Sequence, residues 1–267
     1  MPRPSRVVTL FIASAVLHAA ALAAALCVPG AWPWALAAVV LNHALITAAG
    51  LTPRSHLLGL NVTRLPRAAA LRREVALTID DGPDPEVTPR VLDMLDAHGQ
   101  RATFFCIADR VAAHPALARD IVARGHSIQN HTARHRHNFS LLGPRGYAAE
   151  IERAQQILAD VLGQRPTCFR APAGLRNPFL GPVLQRMGLS LVSWTRRGFD
   201  TRETNAAKVL ARLTRGLAAG DILLLHDGNA ARTVADRPVI LDVLPPLLRA
   251  FNAAHLRAVT LPEALDE

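Results

Sequence analysis

The sequence predicts an α/β domain whose parallel sheet closes into an incomplete or distorted barrel, carried behind an N-terminal membrane-spanning helical hairpin. Three observations predict it. From Val7 to Pro53 there is no Asp, Glu, Lys or Arg, a run of 47 residues. Beyond it, short β-rich apolar runs alternate with longer stretches of helical spacing, the pattern of a parallel sheet with right-handed crossovers. That second part, residues 74–267, has 194 residues, fewer than the ~250 of a full eightfold barrel.

The hairpin comes first. A span needs about 20 apolar residues, and the run divides at Pro29-Gly30-Ala31-Trp32-Pro33, where helical continuity breaks. The predicted spans are about 7–28 and 34–51, which makes residues 1–53 a membrane anchor. Trp32 and Trp34 suit the headgroup region, while His18, Asn42 and His43 are tolerable in apolar helices that face each other. A secretory signal peptide over Val7–Leu26 is the rival reading, but its apolar part is overlong and a second span follows at once. Arg3 and Arg6 precede the first span, Arg54, Arg64, Arg67, Arg72 and Arg73 follow the second, and the turn carries none. The positive-inside rule then places both ends, and the domain that follows, in the cytoplasm of an inner membrane. Residues 54–73 read as an Arg-rich juxtamembrane linker, solvated or resting on anionic membrane lipids.

Within 74–267, strands are expected over Glu74–Ile79, Ala102–Ile107, Ser190–Trp194, Asp221–Leu225 and Arg257–Leu261, as apolar runs of the length that suits strands buried on both faces. Helices are expected over Thr88–His98, Ala108–Arg124, Arg145–Leu162, Asn205–Ala219 and Val239–Ala254. Composition removes other classes. With 50% hydrophobic and 19% charged residues the chain is not disordered. Three widely spaced cysteines exclude a disulfide scaffold. The net charge of +9 comes from scattered arginines with a single tyrosine beside them, so no nucleic-acid surface is indicated.

In such a domain the chemistry sits at the carboxyl ends of the strands. The first strand ends in Thr78-Ile79-Asp80-Asp81-Gly82-Pro83, two adjacent carboxylates that repel unless a cation or proton lies between them. His131 and His135 are four apart; on one helical turn their imidazoles face the same way, and with a carboxylate they make the open three-ligand site of catalytic zinc. Arg170-Ala171-Pro172-Ala173-Gly174 offers an arginine that needs a buried carboxylate, with Asp80 available. Small Ala173 and Gly174 let a backbone N–H approach a ligand. Leu224-Leu225-His226 ends an apolar strand with a histidine able to act as acid or base. His126 and His137 read as structural.

In this order the motifs resemble those of the polysaccharide deacetylase family, the NodB homology domain of carbohydrate esterase family four. The resemblance spans roughly residues 74–261 and implies a distorted (β/α)7 barrel of the NodB-homology type. It implies that Asp81, His131 and His135 bind a divalent metal ion, usually zinc. Asp80 becomes the general base, held by Arg170. His226 becomes the general acid, oriented by Asp200 at the end of a partial fourth motif, Arg197-Gly198-Phe199-Asp200-Thr201. The Ala173 N–H joins the metal in stabilising an oxyanion.

Two departures stand out. Ala173 replaces the usual aromatic of the third motif. The fourth motif, usually Asp-x-x-Asp-Trp, keeps only its second Asp and loses the tryptophan that walls the acyl pocket. Asp221 or Asp227 could orient His226 in place of Asp200. The expected activity is metal-dependent removal of an N-acyl group from an amino sugar of a glycan or lipid-linked saccharide. O-deacylation of an ester and non-catalytic sugar or headgroup binding are the alternatives. A pure binder, however, needs neither Asp80 nor His226.

Overall fold

The computed structural model describes residues 6–266. Helices α1 (Arg6–Cys27) and α2 (Trp32–Leu51) pack side by side as a hairpin, and both are long and apolar enough to cross a membrane. Arg3, which contributes to the orientation argument, lies outside the described residues. The turn takes a left-handed backbone at Gly30 (φ 77°), and Pro33 fits the first turn of α2, where no N–H is needed. The polar side chains of the two helices meet each other. His18 Nε2 lies 3.1 Å from His43 Nε2, and Asn42 Nδ2 donates to Ser14 Oγ at 2.8 Å, so they stay out of an apolar surround.

Residues 54–73 depart from the linker expectation, because their apolar side chains are built into the domain. Leu58, Leu65 and Ala69 are buried. Val62 forms a parallel bridge to Val192: its N–H donates to the Leu191 carbonyl and its carbonyl accepts from Ser193 N, both at 2.8 Å. Helix α3 (Arg67–Leu71) then leads into the sheet.

The sheet and its helices follow in alternation. They are β1 (Glu74–Asp80), α4 (Thr88–Ala97), β2 (Ala102–Cys106), α5 (Ala108–Ala113), α6 (Pro115–Ala123), β3 (Ser127–Asn130), α7 (Pro144–Leu162), β4 (Cys168–Phe169), α8 (Leu180–Arg186) and β5 (Ser190–Leu191). Then come β6 (Arg196–Arg197), α9 (Ala206–Thr214), β7 (Ile222–His226), α10 (Ile240–Ala253), β8 (Arg257–Ala258) and α11 (Leu261–Leu265). Strand order is β5-β4-β3-β2-β1-β7-β6, with β8 beside the start of β1, and every strand pairing is parallel. The barrel is open between β5 and β6. The stretch around Val62 covers that opening, and Leu65 N donates to the Gly220 carbonyl at 2.9 Å.

Central β1 is buried along its whole length, and β2 and β7 flank it equally buried, which is why these runs read so plainly as strands. The helix expected over Ala108–Arg124 is two helices. Pro115 starts the second, and its ring drives His114 out of the helical region, to φ −129° and ψ 57°. Strands β3 and β6 and helices α3 and α8 lie where no element was expected, and helix α11 begins at Leu261, where the expected last strand was to end.

Candidate active site

The candidate side chains gather at the C-terminal edge of the sheet. Asp80 ends β1 and Asp81 follows it; the pairing register sets Asp80 beside Phe105 of β2 and beside His226, which ends β7. The loop after β3 carries His131 and His135, Arg170 follows β4, and Asp200 lies in the loop after β6.

His131 and His135 were expected on a helical turn. They lie instead in a loop, with left-handed backbone at Thr132 (φ 70°) and His135 (φ 50°). Side chains secure that bend: Asn130 Oδ1 accepts from Thr132 N at 2.8 Å and Thr132 Oγ1 accepts from His135 N at 2.9 Å. Both imidazoles return to one point. Nε2 of His131 and Nε2 of His135 each lie 3.3 Å from Asp81 Oδ1, and one donor atom from each of the three residues falls within 4.8 Å of the others.

Two observations fit this group to a cation. Asp81 Oδ1 is buried without a hydrogen-bond partner, while Oδ2 accepts from Asn229 Nδ2 at 2.9 Å. His131 Nδ1 lies 2.8 Å from the Arg170 carbonyl. A carbonyl only accepts, so Nδ1 holds the proton and Nε2 offers its lone pair to the shared point. Burial pushes the Asp81 carboxyl upward, yet the influence of the neighbouring histidines, His131 first, outweighs it and holds the group ionised. Burial, the largest influence on it, brings His135 down to about 4, so it is neutral and able to ligate near pH 7.

Asp80 faces the same space and is clamped from behind. Arg170, 1% exposed, donates from Nη1 to Asp80 Oδ1 at 2.6 Å and to Thr78 Oγ1 at 2.8 Å. Nε and Nη2 donate to the carbonyls of Val192 and Ser193 at 3.2 and 2.9 Å. Every arm of the guanidinium is used, and its plane covers the Phe105 ring at 4.1 Å. The second oxygen, Asp80 Oδ2, points into the site, 3.8 Å from His131 Nε2.

Across from Asp80, His226 Nδ1 meets Asp200 Oδ1 at 2.9 Å, and Asp200 Oδ2 accepts from the His226 backbone N–H at 2.7 Å. Burial disfavours the imidazolium, but Asp200, then Asp80 and Asp81, outweigh it and raise the His226 pKa above its ordinary value. The other two carboxylates considered for this place are engaged elsewhere. Asp221 pairs with Arg64 and Arg196. Asp227 accepts from Thr88 Oγ1 at 2.5 Å, and burial lifts its pKa to about 7.

Backbone strain concentrates here. Of the eight described non-glycine residues with positive φ, five border the site: Asp81, Thr132, His135, Ala173 and Phe199. Such conformations cost of order 1–3 kcal/mol each and persist where the surroundings over-determine them. Ala173 (φ 54°) presents its backbone beside Trp194 and Pro53, which are so close to Gly174 that a Cβ there would collide with both. The sequence assigned no role to Asn229, Thr78, Asn130, Trp194 or Arg197. Only Thr78 and Arg197, which fall inside the first and fourth motifs, carried a signal that could have found them.

Comparison with known proteins agrees with this architecture. A family model described as polysaccharide deacetylase matches residues 68–192. A peptidoglycan-N-acetylglucosamine deacetylase of Bacillus cereus is 30% identical over 202 residues, covering 72% of this chain and 87% of the relative. A chitooligosaccharide deacetylase of Bradyrhizobium is 36% identical over 157 residues, 58% of this chain and 71% of the relative. The crystal structure of a peptidoglycan N-acetylglucosamine deacetylase bound to 4-naphthalen-1-yl-N-oxidanyl-benzamide superposes with a TM-score of 0.69 at 27% identity, covering 77% of this chain and 92% of the other.

Proposed function

The chain belongs to the polysaccharide deacetylase family and is a hydrolase of carbon–nitrogen amide bonds in glycans, and from that premise we propose that it removes the N-acetyl group from N-acetylglucosamine-type residues of a membrane-associated saccharide. The observation that supports this reading most directly is one constellation. An unpartnered Asp81 oxygen between two imidazoles stands beside an arginine-clamped Asp80 and a carboxylate-backed His226.

In this reading Asp81, His131 and His135 hold a divalent cation, and their donor set of two imidazoles and one carboxylate is that of catalytic zinc. Bound there, the ion supplies Lewis-acid polarisation and acidifies water. Asp80 takes the proton of the attacking water through Oδ2, because Arg170 occupies Oδ1 and fixes the carboxylate plane. As the water oxygen bonds to the acyl carbon, the carbonyl oxygen gains charge, which the Ala173 N–H stabilises. His226, kept as imidazolium by Asp200, donates the proton that lets the amine depart as the C–N bond breaks. The products are a carboxylate and a free amino sugar.

The membrane part of the proposal draws on the hairpin. Both α1 and α2 meet the domain near residues 174–181. Phe11 stacks on Phe179 with ring centroids 5.7 Å apart, Arg176 N donates to the Gly50 carbonyl at 3.2 Å, and Pro53 lies against Gly174. The loop that carries Ala173 is thus fastened to the end of α2. A hairpin seated in a bilayer would then hold the site close to its surface, which favours a lipid-linked saccharide as substrate. The arginine distribution supports a domain on the cytoplasmic side.

The test is metal analysis of the purified full chain together with amine release from a panel of N-acetylated oligosaccharides, lipid-linked amino sugars and O-acetylated counterparts. Release from N-acetylated members supports the reading. Release from the esters alone overturns it in favour of O-deacylation.

A further inference from the structure

Arg197 stands where the fourth motif usually has its first aspartate, and, half-buried, it differs from its neighbour Arg196 and from buried Arg170. Arg170 is spent on Asp80, and Arg196 on Asp221. Arg197 makes no ion pair and no side-chain hydrogen bond among the described residues, and its Nε is sealed from solvent without a partner. A guanidinium whose Nε is cut off from water without a partner carries a desolvation cost, while its half-buried placement leaves the outer donors open to a ligand.

Its position says what that is. Strand β6 sets Arg197 beside Leu224, on the strand that ends in His226. The guanidinium carbon sits 5.1 Å from the ring centre of Trp194 and 5.1 Å from that of Phe199. Two aromatic faces hold the planar group with its donors uncommitted, a preorganised arrangement. Phe199 reaches it only through a left-handed backbone (φ 61°). The Trp194 ring it rests on also lies 5.9 Å from the guanidinium carbon of Arg170, which clamps Asp80, and the charges of Asp80, Asp200 and Asp81 act on Arg197. Asp200 has no oxygen to offer, since both face His226. On the Phe199 side lies a concavity of about 270 Å³ lined also by Arg202, Glu203 and Arg212.

We propose that Arg197 is a specificity residue that docks an anionic substituent, a phosphate ester or a carboxylate, carried by the substrate close to its acylamino group. A planar fork of donors matches either anion in two-point contact. The inference deepens the deacetylase reading and rests on it: the favoured substrate is a charged amino sugar, not a neutral chitin-like chain.

The experiment compares three N-acetylated glucosamines on the full chain in detergent: a neutral methyl glycoside, an anomeric phosphate diester, and a 3-O-lactyl ether bearing a carboxylate. Wild type should favour one anionic member over the neutral one by about tenfold to a hundredfold in kcat/KM, the range for a hydrogen bond to a charged group. Arg197→Gln should erase that ratio, and Arg197→Lys should restore part of it. A phosphate preference indicates a lipid-linked donor, and a carboxylate preference a muramyl residue. Binding of the same three compounds to Asp80→Asn chains, with Arg197 kept in one and Arg197→Gln added in the other, gives a readout that needs no turnover. If no compound is hydrolysed by wild type yet the anionic ones bind more tightly only when Arg197 is present, the deacetylase reading falls while anion recognition stands. No anionic preference in wild type, or an equal loss on charged and neutral compounds in Arg197→Gln, overturns the proposal.

Discussion

Replacing Asp200 by Asn removes one charge from behind His226 at almost constant volume. Asp200 is fully buried and serves His226 twice, at Nδ1 (2.9 Å) and at the backbone N–H (2.7 Å). A hydrogen bond to a charged partner contributes about 1.5–3 kcal/mol, and one pKa unit corresponds to about 1.4 kcal/mol. Loss of the charge should therefore lower the His226 pKa by about 1–2 units. The sign is fixed by the role. A general acid works while protonated, and the carboxylates raise its pKa, so activity falls as pH rises through the raised value. In Asp200→Asn the alkaline limb of the kcat/KM profile should move down by about 1–2 units. The rate at a pH above that limb should drop about tenfold to a hundredfold, with the two profiles converging at low pH. Amine release from an N-acetylated chitooligosaccharide between pH 5 and 10, with metal content checked at each pH, measures it. An unmoved alkaline limb, or the same loss at every pH, refutes the orienting role.

Asp80→Asn should keep its metal and lose about 10²–10⁴-fold in rate; loss of metal from this variant but not from Asp81→Asn would reverse the two assignments. His126 is buried and accepts from Ala102 N at 3.1 Å, and burial followed by the charge of Arg101 lowers its pKa to about 4. The unfolded chain protonates it near the ordinary 6.5, so stability should fall as pH drops from 6.5 towards 4, by at most about 3 kcal/mol. Thermal melts of His126→Gln should show a flatter dependence over that window, and an unchanged slope rules out the contribution. An alkaline phosphatase fusion after Arg73 should be inactive if the domain faces the cytoplasm, and an active fusion places it outside.

What could be read ahead of the structure follows from burial and strand length. β1 and β7 are sealed on both faces and end in Asp80 and His226, so continuous apolar runs with a polar terminus marked the site. Two-residue strands such as β6 leave no periodicity, and nothing in the sequence pairs Arg197 with Trp194 beside it. The spacing of His131 and His135 suggested a helical turn because four residues bring side chains together there. A loop with two left-handed residues does the same, and only its hydrogen bonds to Asn130 and Thr132 reveal it. Arg and Pro in 54–73 masked Leu58, Val62 and Leu65, whose i, i+4, i+7 spacing is that of a helix although the backbone there is irregular and lies along the opening of the barrel. The choice of Asp200 over Asp221 and Asp227 needed three dimensions, since competition from Arg64, Arg196 and Thr88 decides it.

Metal stoichiometry and amine release, measured on the same preparation, bear hardest on the proposed chemistry. The purified full chain and its His131→Ala variant would each be assayed as isolated, after chelation, and after zinc is restored. One divalent ion per chain is predicted for the wild type, with activity that disappears on chelation and returns with zinc, and neither ion nor activity for the variant. A His131→Ala chain that carries a full complement of zinc and releases amine at the wild-type rate contradicts the Asp81–His131–His135 centre.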